Sequence, residues 1–526
     1  MSGRPLSADG HRFAIAAPHA EATAAGLAAF EGGGNAVDAA LAAATTLAVV
    51  YPHMCGVGGD LFAVVREPGG GTVALNSSGA APAALDADAL RSAHRSMPEF
   101  GQEAVTVPGA VAGWWELAER WSRLGFARAL RPAIAFAREG VPVARSVAAK
   151  LASQRDRLLR DPGIAGVFAP AGTPLPEGDR LVQPALARTL EALAAGGPGA
   201  LYGGEFGGRL VEHLRALGSP ISVGDLVAHG VEIQPPVAGR FRDLEVSVPP
   251  PNSQGFVLLQ ILAAIERLGI DPDPLGPQAP TLANLFRVTG ADRDRHSADP
   301  RHVPVPVAAL VGDGHVAELC DAARDLSAGR PVPPRTGDTA AVVAADGTGL
   351  AVSVVQSLYD GFGSGILEPR TGVVLHNRGS GFVLDPSHPN TIAGGKRPAH
   401  TLMPVVVQRG GRLAAVSGTM GGAAHPQINA MTLTRALALG LHPSEAIAAP
   451  RWLVGGLSAE EPAAVVVAES RVPATVRGSL RAAGYAVEIL ERFSGSVGHA
   501  NLIRVGEDDL LEAGTDPRAD GSAAAR

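Results

Sequence analysis

A threonine stands where a loop-like stretch meets a strand in Arg335-Thr336-Gly337-Asp338-Thr339-Ala340-Ala341-Val342-Val343. A threonine hydroxyl is a weak nucleophile until a base takes its proton. No Ser/His/Asp arrangement surrounds Thr339 in the sequence to supply one. Cutting the chain between Asp338 and Thr339 would supply a base on the same residue. The new α-amine has a pKa of about 8 and needs no further positioning. Read locally, Thr339 is equally a β-branched residue opening a strand. Two other segments favour chemistry. Gly418-Thr419-Met420-Gly421-Gly422 follows a strand and precedes a helix, so Gly421 and Gly422 can turn N–H groups toward a developing oxyanion. An ordinary strand-to-helix turn uses glycines as well. Ser357 closes the second arm of a hairpin and can lie beside Thr339, or it is a strand serine facing solvent.

The elements that must hold these groups can be read around them. Residues 19–31 form a helix that stops at Gly32-Gly33-Gly34, and Asn35 caps a second helix over 36–50. A mainly helical stretch covers 111–217. Strand-like segments flank Pro249-Pro250-Pro251, and a helix covers 256–268. Residues 321–338 lose periodicity, fill with Pro, Gly and charge, and read as a surface linker. Two apolar runs around Asp346-Gly347 form a hairpin. Strands follow at 371–376, 402–407, 413–417 and 499–504, and helices at 425–439 and 473–483. The pattern is α+β, one body built from residues 1–338 and 339–526.

The 526 residues are 46% apolar and carry a net charge of −7. That excludes global disorder and argues against a nucleic-acid surface. Cys55 and Cys320 give neither a disulfide framework nor a zinc motif. The first residues lack a signal-peptide core, and the apolar run 36–50 is too short to span a bilayer. The expectation is a cytoplasmic protein without a membrane partner. The glycines of 56–62 read as packing or pocket wall rather than a phosphate loop, because no GK[ST] follows. His296 and His302 fit no zinc spacing, and Trp114, Trp115 and Trp121 read as core.

Ordered blocks over nearly the whole chain resemble the γ-glutamyltransferase (γ-glutamyltranspeptidase) family of N-terminal-nucleophile hydrolases. They are 32–62, VPGAVAGWWELAERWSRLG (107–125), YGGEFG (202–207), PPPNSQGFVLLQIL (249–262), ADRDRHSADP (291–300), GDTAAVVAADG, GFGSGI (361–366), KRPAHTLMP (396–404) and GTMGG (418–422). The resemblance implies a four-layer αββα sandwich and a precursor that cuts itself between Asp338 and Thr339. The two resulting subunits would stay associated, with a higher oligomer an open option. Thr339 matches the nucleophile, Gly421 and Gly422 the oxyanion hole, and Ser357 the hydroxyl that supports the nucleophile. His400 and Thr401 match the substrate-orienting pair, with Tyr359 among the substrate-binding positions. The substrate would be a small amide, with water or an amine as acceptor, and no metal or organic cofactor is implied.

The departures concern the acyl donor. The family arginine for the glutamyl α-carboxylate falls at Ser78 or, with another gap, Ala80. The family aspartate for the α-amine falls near Gly381. Neither can pair with a zwitterionic head group. The second threonine of the family's pair is Ala340. Arg378 is either a replacement cation or a solvated loop arginine. The donor is therefore a γ-glutamyl compound or another acid amide, such as a dicarboxylic monoamide or a glutaryl amide. A non-catalytic binding relative is the reading from another class.

Overall fold

The computed structural model describes residues 4–271, 273–325, 337–455 and 464–526. Its centre is two seven-stranded sheets packed face to face. The first runs, in spatial order, through Ser522–Ala525, Phe13–Ala17, Asp338–Asp346, Ala351–Tyr359, Asp60–Arg66, Thr72–Ser77 and Glu232–Gln234. The second runs through Ser7–Gly10, Leu511–Thr515, His499–Val505, Arg412–Met420, Val405–Arg409, Leu244–Val248 and Val237–Phe241. Every pairing within these two sheets is antiparallel. Residues on both sides of the 338/339 junction contribute strands to both sheets.

Alternation of side chains decides the layers. Val342 and Ala344 point outward into a core shared with helices Ala20–Glu31, Ala36–Val50 and Phe126–Glu139. Val343, Ala345 and Ala351 point inward and meet Val406, Val416 and Ile503 of the second sheet. Helices Gly255–Leu268, Ala279–His296 and His425–Leu433 cover the second sheet's outer face. The result is the expected αββα sandwich. The sheets approach closely because small residues face each other. At Gly418 an added Cβ would stand 2.9 Å from the Ala341 Cβ and 3.0 Å from the Ser353 Oγ.

Helix Ala36–Val50 is buried at all fifteen positions. It is apolar all round because protein covers every face. Asn35 and Asp38 form the capping box at its start, and Asp346 accepts from Ala36 N–H at 3.0 Å. The hairpin turn is thereby tied to the helix. Trp114 is fully buried and donates Nε1–H to Gln356 at 2.9 Å, while Gln356 donates to the Ala44 carbonyl at 2.7 Å. Trp115 and Trp121 pack at the edge of the same core.

Several boundaries differ from the sequence reading. Helix Asp313–Asp325 takes in the first five residues assigned to the linker, because Val316, Leu319, Cys320 and Ala323 give it a buried face. Residues 326–336 lie outside the described residues. A strand, Leu244–Val248, precedes Pro249-Pro250-Pro251, but helix Gly255–Leu268 follows them. The helix beginning at His425 passes into a π turn over Thr434–Ala438. Among the described residues no helix is long and apolar enough to cross a membrane.

The close approach of the sheets gives a test. Gly418→Val forces a branched side chain into the contact with Ala341 and Ser353. The expected loss is about 1–3 kcal/mol, seen as a lower urea-unfolding midpoint.

Candidate active site

The site lies where the two central strands of the first sheet fall out of register. Asp338 pairs with Tyr359 and Ala340 with Gln356, so two residues, Ser357 and Leu358, oppose Thr339 alone. Such a bulge re-aims side chains. Thr339 is 2% exposed, and its hydroxyl donates to the Ser357 Oγ at 3.3 Å. The Ser357 hydroxyl donates to the carbonyl oxygen of Asp338 at 2.5 Å. It also accepts from the Tyr359 N–H at 2.7 Å. One side chain thus touches the hydroxyl of residue 339 and the carbonyl of the 338–339 peptide. Tyr359 has φ 78°, a strained value for an aromatic residue.

The glycines of 56–62 make the close approach possible. A Cβ at Gly59 would lie 2.4 Å from the Ser357 carbonyl oxygen, and one at Gly58 2.2 Å from that of Val374. This segment is pocket wall. On the other side, Gly421 (φ 152°) and Gly422 (φ 55°) turn the chain from strand Arg412–Met420 into helix His425–Leu433. A Cβ at Gly421 would strike Ile428 at 2.3 Å. Gln254 donates to the carbonyls of Gly422 and Thr401, both at 2.9 Å, and so ties the glycine turn to the 396–404 segment. Gly337 lies against this turn: its added Cβ would stand 3.1 Å from the Gly422 Cα. In the uncut chain the residues before Thr339 therefore occupy the glycine loop.

A cleft of about 990 Å³ opens here, with Phe100, Lys150, Asp338, Tyr359, Gly421 and Phe493 in its wall. The Asp338 carboxylate pairs with Lys150 at 2.6 Å. Asp360 lies next in the wall. Burial and the neighbouring Asp338 carboxylate push its carboxyl up to about 6, against the Asn377 hydrogen bond.

Arg378 is 3% exposed, and its guanidinium stacks over the Tyr359 ring at 3.6 Å. Its Nη1 donates to the Thr401 hydroxyl at 3.4 Å, and its buried Nε has no hydrogen-bond partner. It is not a solvated loop arginine. Gly381 explains the placement: a Cβ there would stand 2.1 Å from the Arg378 Nη2. The absence of a side chain at 381 is what admits the guanidinium.

His400 supports this wall from behind. Its Nδ1 accepts from the Leu402 N–H at 3.2 Å, so Nε2 carries the proton and donates to Asp60 at 3.1 Å. Burial pushes the imidazole down to about 4. Burial alone would raise the Asp60 carboxyl, but His376 and His400 hold it well below the usual range. Ser78 is fully buried; its hydroxyl donates to Asn76 at 2.7 Å and accepts from Asn252 at 3.3 Å. The structure places it in a hydrogen-bonded wall with its hydroxyl committed. Ala80 is half-buried, and its carbonyl accepts from Val107 N–H at 3.0 Å.

Sequence reasoning brought Thr339, Ser357, Tyr359, Gly421, Gly422, Arg378, Gly381 and Thr401 to one region. It missed Asp60, Lys150, Gln254 and Asp360. Asp60 and Gln254 stood inside quoted blocks, whereas Lys150 carried no local signal. Among the described residues no cluster of three or more His, Cys, Asp or Glu side chains could hold a metal ion. His296 reaches Asp292 at 3.5 Å, and His302 is exposed.

Comparison with known proteins points to one family. The family model of gamma-glutamyltranspeptidase matches residues 22–526. The chain is 39% identical over 528 residues to the oxamate amidohydrolase proenzyme of Klebsiella pneumoniae, covering 98% of each. It is 29% identical over 536 residues to the glutathione hydrolase proenzyme of Escherichia coli, covering 96% of this chain and 90% of the relative. A crystal structure of cephalosporin acylase from Bacillus halodurans superposes with a TM-score of 0.91 at 30% identity, covering 100% of this chain and 98% of the other.

The raised Asp360 gives a pH test on the uncut chain. A carboxyl that binds its proton more tightly when folded favours folding below the unfolded pKa of 3.8. That contribution is lost as pH rises to about 6. Asp360→Asn in a Thr339→Ala background should therefore raise the thermal midpoint above pH 6 relative to Thr339→Ala alone. It should also flatten the pH dependence between about 4 and 6.

Proposed function

The chain belongs to the γ-glutamyltranspeptidase family, and from that premise we propose that it is a self-cleaving amidohydrolase whose nucleophile is Thr339 and whose acyl donor is a small acid amide. The observation that carries the self-cleavage is the Ser357 hydroxyl, bonded both to the Thr339 Oγ and to the Asp338 carbonyl oxygen.

In the uncut chain, the Thr339 Oγ attacks the Asp338 carbonyl carbon. Its proton passes to Ser357, whose own proton moves toward the carbonyl oxygen. The 338–339 C–N bond breaks as the nitrogen takes up a proton, leaving Asp338 esterified to Thr339. That step frees the Thr339 amine, and water then hydrolyses the ester, releasing a carboxylate on Asp338 and restoring the Thr339 hydroxyl. Departure of Gly337 and Asp338 clears the glycine loop. In the mature protein, the Thr339 amine takes the hydroxyl proton as Oγ attacks the substrate amide. The N–H groups of Gly421 and Gly422 receive the developing oxyanion. The leaving amine departs with the proton, and water or an amine acceptor resolves the acyl-enzyme.

The donor follows from Arg378 and Gly381. A zwitterionic γ-glutamyl head group needs both a cation and an anion, and Gly381 supplies no anion. A buried guanidinium with an unpartnered Nε suits a lone carboxylate. That favours a dicarboxylic monoamide over a γ-glutamyl compound. Oxamate, the acid amide named for the 39%-identical relative, is of this kind. We place the protein in the cytoplasm, with its two fragments held together by the shared sheets.

Three outcomes follow. Thr339→Ala should run as one band on a denaturing gel, where the wild type gives two. Ser357→Ala should slow self-cleavage about 10²-fold or more, followed by mass spectrometry of the fragments. Arg378→Ala should lower kcat/KM for an acid amide by about 10- to 10²-fold. For the donor, oxamate, a glutaryl anilide and a γ-glutamyl anilide are assayed side by side. Turnover of an acid amide is expected. Strong γ-glutamyl turnover that depends on its α-amino and α-carboxylate groups overturns the donor assignment.

A further inference from the structure

The glycine turn is held from behind at three successive carbonyls. The Gly421 carbonyl accepts from the Ala424 N–H at 2.9 Å. That of Gly422 accepts from Gln254 at 2.9 Å and from the His425 N–H. The Ala423 carbonyl accepts from Arg293 Nη1 at 2.9 Å, across 130 residues of chain. Arg293 reaches the turn from helix Ala279–His296, in the layer that covers the second sheet. Its side chain is mostly buried. The Asp294 carboxylate takes its Nε and Nη2, each at 2.7 Å, which leaves Nη1 for the Ala423 carbonyl.

Peptide planarity carries this contact to the site. In a trans peptide the N–H points opposite to the carbonyl of the same unit. Arg293 fixes the 423–424 unit by its carbonyl and so aims the Ala424 N–H. That N–H holds the Gly421 carbonyl, which fixes the 421–422 unit and aims the Gly422 N–H. Bare glycines restrict their own backbone little, so the direction of this donor has to come from such anchors. Hydrogen bonds in line also polarise one another, and a guanidinium at the head of the line strengthens the donor at its far end. Gly421 is held differently. Its N–H shares a unit with the carbonyl of Met420, a residue of the ladder with strand His499–Val505.

We propose that Arg293 is a positioning residue for acyl transfer, which aims and polarises the Gly422 N–H through two peptide units. This rests on the reading of Thr339 as nucleophile and of the glycine turn as its oxyanion hole, and deepens it. Self-cleavage does not draw on the contact. There the Asp338 carbonyl oxygen takes its proton from Ser357, and Gly337 lies against the turn before the cut.

The test compares processed wild type with Arg293→Met and Arg293→Lys. Arg293→Met should lower kcat for an acid amide about tenfold, less than outright loss of an oxyanion donor, and leave KM within about twofold. Arg293→Lys keeps a charged donor and should recover most of that loss. Both variants should cut themselves at the wild-type rate, followed by mass spectrometry of the fragments. Binding of 4-boronobutanoate and of glutarate, measured by calorimetry, reads the turn without turnover. The boronic acid bonds to the Thr339 Oγ, whose proton passes to the Thr339 amine. Boron becomes tetrahedral and anionic, and one of its oxygens takes the place of the oxyanion. Glutarate stays trigonal. Arg293→Met should therefore weaken boronate binding about tenfold and leave glutarate binding unchanged. Wild-type kcat and boronate affinity in Arg293→Met overturn the assignment and leave the proposed function standing. A parallel fall in self-cleavage, kcat and thermal midpoint also overturns it, because Arg293 would then support the fold at large. A wild type that neither cleaves an acid amide nor binds the boronate sinks the proposed function, and the role of Arg293 with it.

Discussion

One hydroxyl organises the site. Ser357 stands at the only residue-count mismatch between its strand and the strand of Thr339, and three groups converge on its oxygen. A regular antiparallel ladder would also set Ser357 opposite Thr339; the bulge adds Leu358 to that rung and moves Asp338 onto Tyr359. The bulge, the positive φ of Tyr359 and the bare backbone of Gly59 together hold it. Behind them, Trp114 and helix Ala36–Val50 fix Gln356, one residue away. Much of the large helical layer therefore bears on the position of a single oxygen.

Interleaving would let the chain tolerate the proposed break between Asp338 and Thr339. Strand Asp338–Asp346 is flanked by Phe13–Ala17 on one side and Ala351–Tyr359 on the other. The carboxyl-terminal strand Ser522–Ala525 pairs with Phe13–Ala17 in turn. Ladders and buried apolar contacts cross the junction many times, whereas the peptide bond at 338–339 is one link. On the far wall, Arg451 and Arg518 pair with Asp516 and Glu469 with almost no solvent contact. These pairs hold the segment carrying Phe493 and Arg518 against the cleft, where each buried charge needs its partner.

Residues 378 and 381 are coupled in space. The Arg378 Nη2 fills the space a Cβ at 381 would need, so the bare glycine and the buried guanidinium depend on each other. Stacking on Tyr359 and the Thr401 hydroxyl then hold the guanidinium in place.

Much of this was legible in the residues themselves. The hairpin around Asp346-Gly347, the capped helix at Asn35 and the glycine turn at 421–422 depend on local backbone preferences, which a sequence displays. Thr339 as candidate nucleophile came from its place at the linker–strand junction and the family resemblance, and hairpin pairing allowed Ser357 beside it. The bulge that aims Ser357, the burial of Arg378 and the engagement of Ser78 by Asn76 and Asn252 did not, since each is settled by atoms distant in sequence. Lys150 is the extreme case: nothing around it marks it, and only the packing of helix Arg145–Ser153 over Gly361 sets it on Asp338. Sequence determined which residues could do chemistry, because that depends on residue type and local conformation. Tertiary structure decided which charges meet, because electrostatic pairing depends on distance and burial, and neither is a local property of the chain.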